Sequence, residues 1–418
     1  MQSNPPRGDI MGFDYRSSFR ADLPAAAKPW QGFPAYNFVG GHMDPDHVPV
    51  ADLLAALTAT LQKEGRTLAT YNLATGPLGY LPLREFLVQA LKTRAGMNIT
   101  TDEVLITSGS LQSLDLVNQL MLAPGDTVIT EAATYGGALT RLSACGARYV
   151  GVDLDGDGMR MDALEEALKR LAGDGVTPKY IYTIPTAQNP TGTVLPQARR
   201  ERMLSLADDY GVMIFEDDCY ADLLWQGSRP TAIYGLDDGR RVIYCGSFSK
   251  SIAPALRLGY VVADWSALSH LLALKTDAGT SALEQMALGA YCGPHFDRHV
   301  ETAVKNLKEK HDLMAEVVSA EFGTAAEFQP AKGGIFLWIK LPDQVDTTKL
   351  AHVAGAAGIS LNPGAEWTVD GAAHRSWMRL CFANASRQQI TDGVRKLAAI
   401  CHQEFGVPQH SGNVTRSV

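Results

Sequence analysis

Between Val104 and Gly259 short apolar runs alternate with amphipathic stretches, and that alternation limits what the chain can fold into. Val104-Leu105-Ile106-Thr107, Thr127-Val128-Ile129-Thr130, Ala147-Arg148-Tyr149-Val150, Tyr180-Ile181-Tyr182-Thr183-Ile184, Val212-Met213-Ile214-Phe215 and Val242-Ile243-Tyr244 read as buried strands. Leu111 to Leu122, Met161 to Leu171 and Gln197 to Tyr210 carry helical spacing. This order predicts an α/β fold, a mostly parallel sheet with helices on both faces. Open sheets of that kind bind ligands beyond the carboxyl ends of their strands. Residues just after each apolar run are therefore the first to read for chemistry.

Outside this region the pattern changes. About forty residues at the start are rich in Pro, Gly and polar residues and predict an extended arm with one short helix. Beyond about residue 290, a charged helix (Pro294 to Ser319), a strand (Gly334 to Ile339), a helix, a strand (Trp377 to Phe382) and a final helix predict a small α+β lobe. The expected division is an N-terminal arm over 1–45, a large domain over 46–290, a small domain over 291–408 and a disordered tail over 409–418. A net charge of −8 argues against a nucleic-acid partner, which calls for a basic face. The six cysteines (145, 219, 245, 292, 381 and 401) are scattered, as in reduced thiols of a cytoplasmic enzyme. No apolar run reaches the roughly 20 residues that span a bilayer, and the first residues lack a signal-peptide core.

Five stretches carry chemistry. Ser247-Phe248-Ser249-Lys250, followed by Arg257-Leu258-Gly259-Tyr260, places an amine among hydroxyls and a guanidinium. A lysine forms a Schiff base with an aldehyde, while hydroxyls and the arginine fork hold a phosphate. In Thr107-Ser108-Gly109-Ser110-Leu111 a strand runs through a glycine turn into a helix, whose first amides favour an anion, though a Gly-Ser start is also a plain cap. Tyr135 follows the next strand and either lies on a heteroaromatic ring or packs a helix start. Asn189-Pro190-Thr191-Gly192 is turn chemistry, or a turn that aims the Asn189 amide at a ring oxygen. In Glu216-Asp217-Asp218-Cys219-Tyr220 a carboxylate ends an apolar strand, which is costly unless it is paired; Asp217 opposite a protonated pyridine nitrogen is paired. The alternative is a solvated acidic turn.

Together these residues match pyridoxal 5′-phosphate. The chain resembles the fold-type I, class I/II aminotransferases, in the 2-aminoadipate, kynurenine and aromatic branch, from about Phe38-Val39-Gly40-Gly41 to Arg379. The motifs that carry the resemblance are N-P-T-G, E-D-D-x-Y and S-F-S-K-x-x-x-P-x-L-R-L-G-Y. The resemblance implies a large domain with a seven-stranded, mostly parallel sheet, a small α+β domain, and a homodimer with shared active sites. It implies that Lys250 carries the cofactor as an internal aldimine and moves the proton between the substrate α-carbon and the cofactor. It assigns Asp217 to the ring nitrogen, Asn189 and Tyr220 to the ring oxygen, and Tyr135 to the ring face. Gly109, Ser110, Leu111, Ser247, Ser249 and Arg257 go to the phosphate. Arg379 is implied to take the substrate α-carboxylate, with Gly41 lining the substrate site. In many relatives a Gln-Tyr pair supplies a tyrosine to the partner's phosphate; here the nearest tyrosine, Tyr71, stands at a different distance from Gly79-Tyr80. Ala132-Ala133-Thr134-Tyr135 stands where a proline is common.

The function implied is amino transfer between an L-α-amino acid and a 2-oxo acid. Arg16 and Arg20 lie in a region comparable to where relatives place an arginine for a substrate side-chain carboxylate, so Arg20 points to glutamate and 2-oxoglutarate as one pair; the alternative is that both are solvated arm residues. Lyases, decarboxylases and oxidases share the scaffold, because the site selects the bond broken. The effector domain of bacterial transcription regulators also shares it, but those carry a DNA-binding domain ahead of the cofactor domain, where this chain has a short arm. Two stretches mimic metal sites and no metal is expected. Asp153 to Gly158 resembles a calcium loop with Leu164 where the bidentate Glu belongs. His295 and His299 lie one helical turn apart without a third ligand.

Overall fold

A computed structural model describes residues 15–21, 23, 26–27, 29–30, 32–237 and 240–408. The tail expected at 409–418 lies outside these residues, as does the beginning of the arm. The chain separates into two compact units, Met1–Phe33 and Pro34–Val418. Described residues of the first include one turn of 3-10 helix, Tyr15–Ser18.

Seven strands of the second unit form one sheet. They are β1 (Val104–Thr107), β2 (Thr127–Glu131), β3 (Arg148–Val152), β4 (Tyr180–Thr183), β5 (Met213–Asp217), β6 (Val242–Ser247) and β7 (Gly259–Val262). Their order is β1-β7-β6-β5-β4-β2-β3. β6, β5, β4, β2 and β3 run parallel, whereas β7 is antiparallel to both β1 and β6. The six apolar runs are all strands, with ends shifted slightly. β5 and β6 continue as far as Asp217 and Ser247, so these two side chains stand on strand ends. β7 has no turn signal separating it from Arg257-Leu258, so the apolar pattern does not single it out.

The pleat sends successive residues to opposite faces. Leu105, Phe215 and Val261 join one apolar core; Val104, Ile214 and Val262 join the other. Each such burial contributes about 1.5–3 kcal/mol, which fixes the sheet between two helical layers. Helices Ser110–Met121, Met161–Gly173 and Gln197–Asp209 match the expected ones closely.

A second sheet of four antiparallel strands orders Glu327–Phe328, Phe336–Lys340, Trp377–Cys381 and Asn362–Pro363. Tyr36–Asn37 pairs in parallel with Ile359–Ser360, and Cys381 N donates to Phe38 O at 2.8 Å. These bonds fasten the strand that leads into Gly40-Gly41. The helix expected from Pro294 begins earlier and spans Ala282–Phe322, with Pro294 inside it. A proline within a helix costs roughly 3 kcal/mol. Met286, Leu288 and Tyr291 before it and Phe296 and Val300 after it are buried in one core, and that burial outweighs the cost. Among the described residues no helix is long and apolar enough to cross a membrane.

Candidate active site

The carboxyl ends of β1, β2, β4, β5 and β6 face one cavity of about 380 Å³, closed on its other side by the four-stranded sheet and the Gly40-Gly41 turn. β7 starts at the same edge because it runs the other way, and so delivers Arg257 there.

One end of the cavity suits an anion. Gly109 holds φ +86° at the start of the Ser110–Met121 helix, a conformation open to glycine, and a Cβ there would overlap Nη2 of Arg257. The guanidinium therefore packs against the turn, with Nη2 donating to Ser108 O at 3.1 Å. Arg257 is itself left-handed, at φ +52°. The Ser247 hydroxyl accepts from Ser249 N at 3.1 Å, which ties the two serines of the strand end together. Ser110, Leu111, Ser247, Ser249 and Arg257 all line this end. Helix amides, hydroxyls and a guanidinium converge there.

Lys250 sits in the turn after β6, and its Nζ donates to Gly41 O at 2.7 Å. Burial, with smaller contributions from Arg379 and Arg257, lowers the pKa of its amine. In the cavity floor Asp217 is buried. Its Oδ2 accepts from the Tyr182 hydroxyl at 2.7 Å, and its Oδ1 has no partner. Burial raises the carboxyl pKa, opposed by the Cys219 thiol and the Tyr182 hydroxyl. Tyr135 precedes the Gly136–Ala144 helix, with its ring 5.9 Å from that of Trp367. Asn189 lies in a turn and its bond to Pro190 is cis; its Nδ2 lies 3.4 Å from the Tyr220 hydroxyl.

The opposite end is built around Arg379. Its Nη1 donates to Asn189 Oδ1 at 2.9 Å, and its Nη2 to Asn362 Oδ1 at 2.7 Å and to Gly40 O at 3.3 Å. Its guanidinium lies between the rings of Phe336 (3.8 Å) and Trp367 (3.5 Å). Burial lowers its pKa to about 10, while Nε has no partner. A buried, still cationic fork with an unpartnered Nε can pair with a carboxylate.

The cavity thus gathers Gly41, Tyr135, Asn189, Asp217, Tyr220, Lys250 and Arg379 with the anion end. Tyr71 is elsewhere. It is 82% exposed and borders a different cavity of about 500 Å³. Arg16 and Arg20 belong to the unit Met1–Phe33, where both are exposed. Tyr182, Asn362, Trp367 and Phe336 have no local motif. Asn362 and Phe336 reach Arg379 through strand pairing, Asn362 directly opposite it and Phe336 two residues from its other partner, Trp338. The two metal-like stretches are otherwise engaged. Asp155 accepts two bonds from Arg199 at 2.7 Å, and His295 and His299 pack on Tyr291 at 5.2 and 6.1 Å.

The family described as aminotransferase class I and II matches residues 45–397. The chain belongs to that family. Aromatic-amino-acid aminotransferase 1 of Thermococcus litoralis is 32% identical, covering 88% of this chain and 88% of its own. The 2-aminoadipate transaminase of Thermus thermophilus is 32% identical over 86% of this chain and 88% of its own. The crystal structure of Pyrococcus horikoshii kynurenine aminotransferase superposes with a TM-score of 0.83 at 33% identity, covering 88% of this chain and 91% of that one. Helix-turn-helix transcriptional regulators are also among the relatives. This aminotransferase is an enzyme of the transaminase type, and its cavity occupies the strand ends where such α/β sheets bind ligands.

Proposed function

We propose that this aminotransferase holds pyridoxal 5′-phosphate on Lys250 and moves an amino group between an L-α-amino acid and a 2-oxo acid, with glutamate and 2-oxoglutarate as one pair. The observation that carries the reading is the buried, unpartnered Oδ1 of Asp217 on the wall of the cavity that holds Lys250. A buried carboxylate oxygen without a donor is costly, and the protonated nitrogen of a pyridine relieves it.

Bound there, the cofactor supplies an electron sink for the electrons left when the substrate α-proton departs. The chain's own residues do the rest. Arg257, Ser247, Ser249 and the Gly109-Ser110-Leu111 turn hold the phosphate. Tyr135 covers the ring, while Asn189 Nδ2 and the Tyr220 hydroxyl donate to its oxygen. Arg379 fixes the substrate α-carboxylate, which aims the α-proton at Lys250. Lys250 Nζ, with its lowered pKa, takes that proton as a neutral amine.

Arg20 is assigned to the side-chain carboxylate of glutamate. The division into an arm, a large domain over 46–290 and a small domain over 291–408 belongs to the same reading, as does a cytoplasmic location. We assign a homodimer with shared active sites.

The test is to add L-glutamate, without an oxo acid, to the cofactor-loaded protein. One equivalent each of 2-oxoglutarate and pyridoxamine phosphate is the expected result. Repeated release of ammonia, carbon dioxide or hydrogen peroxide with the cofactor unchanged would move the assignment to a lyase, decarboxylase or oxidase. In a parallel substrate screen, undiminished glutamate turnover by Arg20→Ala removes that residue from the reading.

A further inference from the structure

Tyr182 lies on β4, opposite Phe215 of β5. It is 1% exposed, and its ring meets that of Phe215 edge-on at 5.8 Å. Its hydroxyl has one carboxylate within reach, Oδ2 of Asp217 at 2.7 Å. Burial, followed by the charge of Asp217, drives the tyrosine pKa well above its ordinary value, so the phenol keeps its proton and donates. A carboxylate has two oxygens, and this bond decides which one is left over. The Cys219 thiol and amide also support the charge, and Asp218 opposes it.

We propose that Tyr182 is a positioning residue of this aminotransferase: by occupying Oδ2 of Asp217 it leaves Oδ1 as the acceptor for the ring nitrogen of pyridoxal 5′-phosphate. The inference rests on the cofactor assignment above. Tyr182 touches neither the cofactor nor the substrate in this scheme; it acts through Asp217.

The experiment titrates the apoprotein with pyridoxal 5′-phosphate and with its 1-deaza analogue, which keeps the aldehyde and the phosphate but has a carbon in place of the ring nitrogen. Wild type should prefer the natural cofactor, and Asp217→Asn should lose most of that preference. Tyr182→Phe keeps the ring and removes one hydrogen bond to a charged group. The preference should then narrow by roughly tenfold to a hundredfold, with affinity for the analogue unchanged. A purely structural role would weaken both ligands alike, leave the ratio intact and overturn the proposal. If Asp217→Asn loses the preference and Tyr182→Phe keeps it, Tyr182 is excluded while the cofactor reading stands. No preference in wild type overturns both. Should Tyr182→Phe fail to fold by circular dichroism, 3-fluorotyrosine at 182 supplies a stronger donor of the same shape. A wider preference is then expected, and an unchanged one overturns the proposal.

Discussion

Lys250 and Gly41 meet at 2.7 Å, ammonium to carbonyl, and the glycine has no room for a side chain because a Cβ would overlap Nζ. Residues 209 positions apart in the chain thereby fix where the amine waits. Gly41→Ala should push Nζ aside and lower kcat/KM by roughly tenfold to a hundredfold. The displaced atom is the end of a flexible side chain, so the melting temperature should move by no more than about 2 °C. A large melting shift with unchanged kinetics would contradict this.

The lowered pKa of Lys250 has a sign that can be checked. A depressed amine pKa means a larger neutral share at pH 8 than free lysine has, whose pKa is about 10.4. Capture of the aldehyde by apoprotein should accelerate with pH and level off below that value. Lys250→Ala should show no visible absorption band of lysine-bound cofactor. A plateau at the ordinary lysine pKa would remove the argument from burial.

Arg379 is gripped by Asn189 and Asn362 and sandwiched by Phe336 and Trp367. Lysine cannot reproduce a planar fork held in this way. Arg379→Lys should raise KM for the amino acid by roughly tenfold to a hundredfold and leave the cofactor absorbance unchanged. Steady-state kinetics with absorbance spectra of the same samples checks both halves.

Glu131 ends β2 without touching the cavity, yet it organises two of the loops that do. It accepts from Thr183 Oγ1 at 2.7 Å, from Ile184 N and Thr134 Oγ1 at 2.9 Å, and from Gln188 Nε2 at 3.4 Å. Glu131→Gln sets an amide group against these donors. It should cost about 1–3 kcal/mol, seen as a melting temperature lower by several degrees. Cofactor affinity should fall as well, because Tyr135 and Asn189 follow the same loops.

The parts of this site that were legible in the sequence are those in which strand and motif are contiguous. Lys250, Asp217, Asn189 and Tyr135 each come within six residues of the end of an apolar run, so the strand ends place them. Arg379 was legible as an arginine in a strand, but its setting was not. Asn362 joins it through strand register, and Trp367 comes from the 3-10 turn Gly364–Trp367. Tyr182 looked like ordinary strand filling, because its role depends on which residue of β5 lies alongside. Pro294 misplaced a helix start, since local propensity says nothing of the core that holds both halves of that helix together. β7 was hidden by its brevity and by the motif leading into it.

β7 also imposes an order of events. Among the described residues β1 has β7 as its one partner strand, through pairs such as Thr107 with Gly259. During synthesis β1 therefore has no partner strand until Gly259–Val262 has been made. Gly109 and Arg257 meet when that late strand lies down beside the early one, so no shorter nascent chain can assemble this end of the cavity.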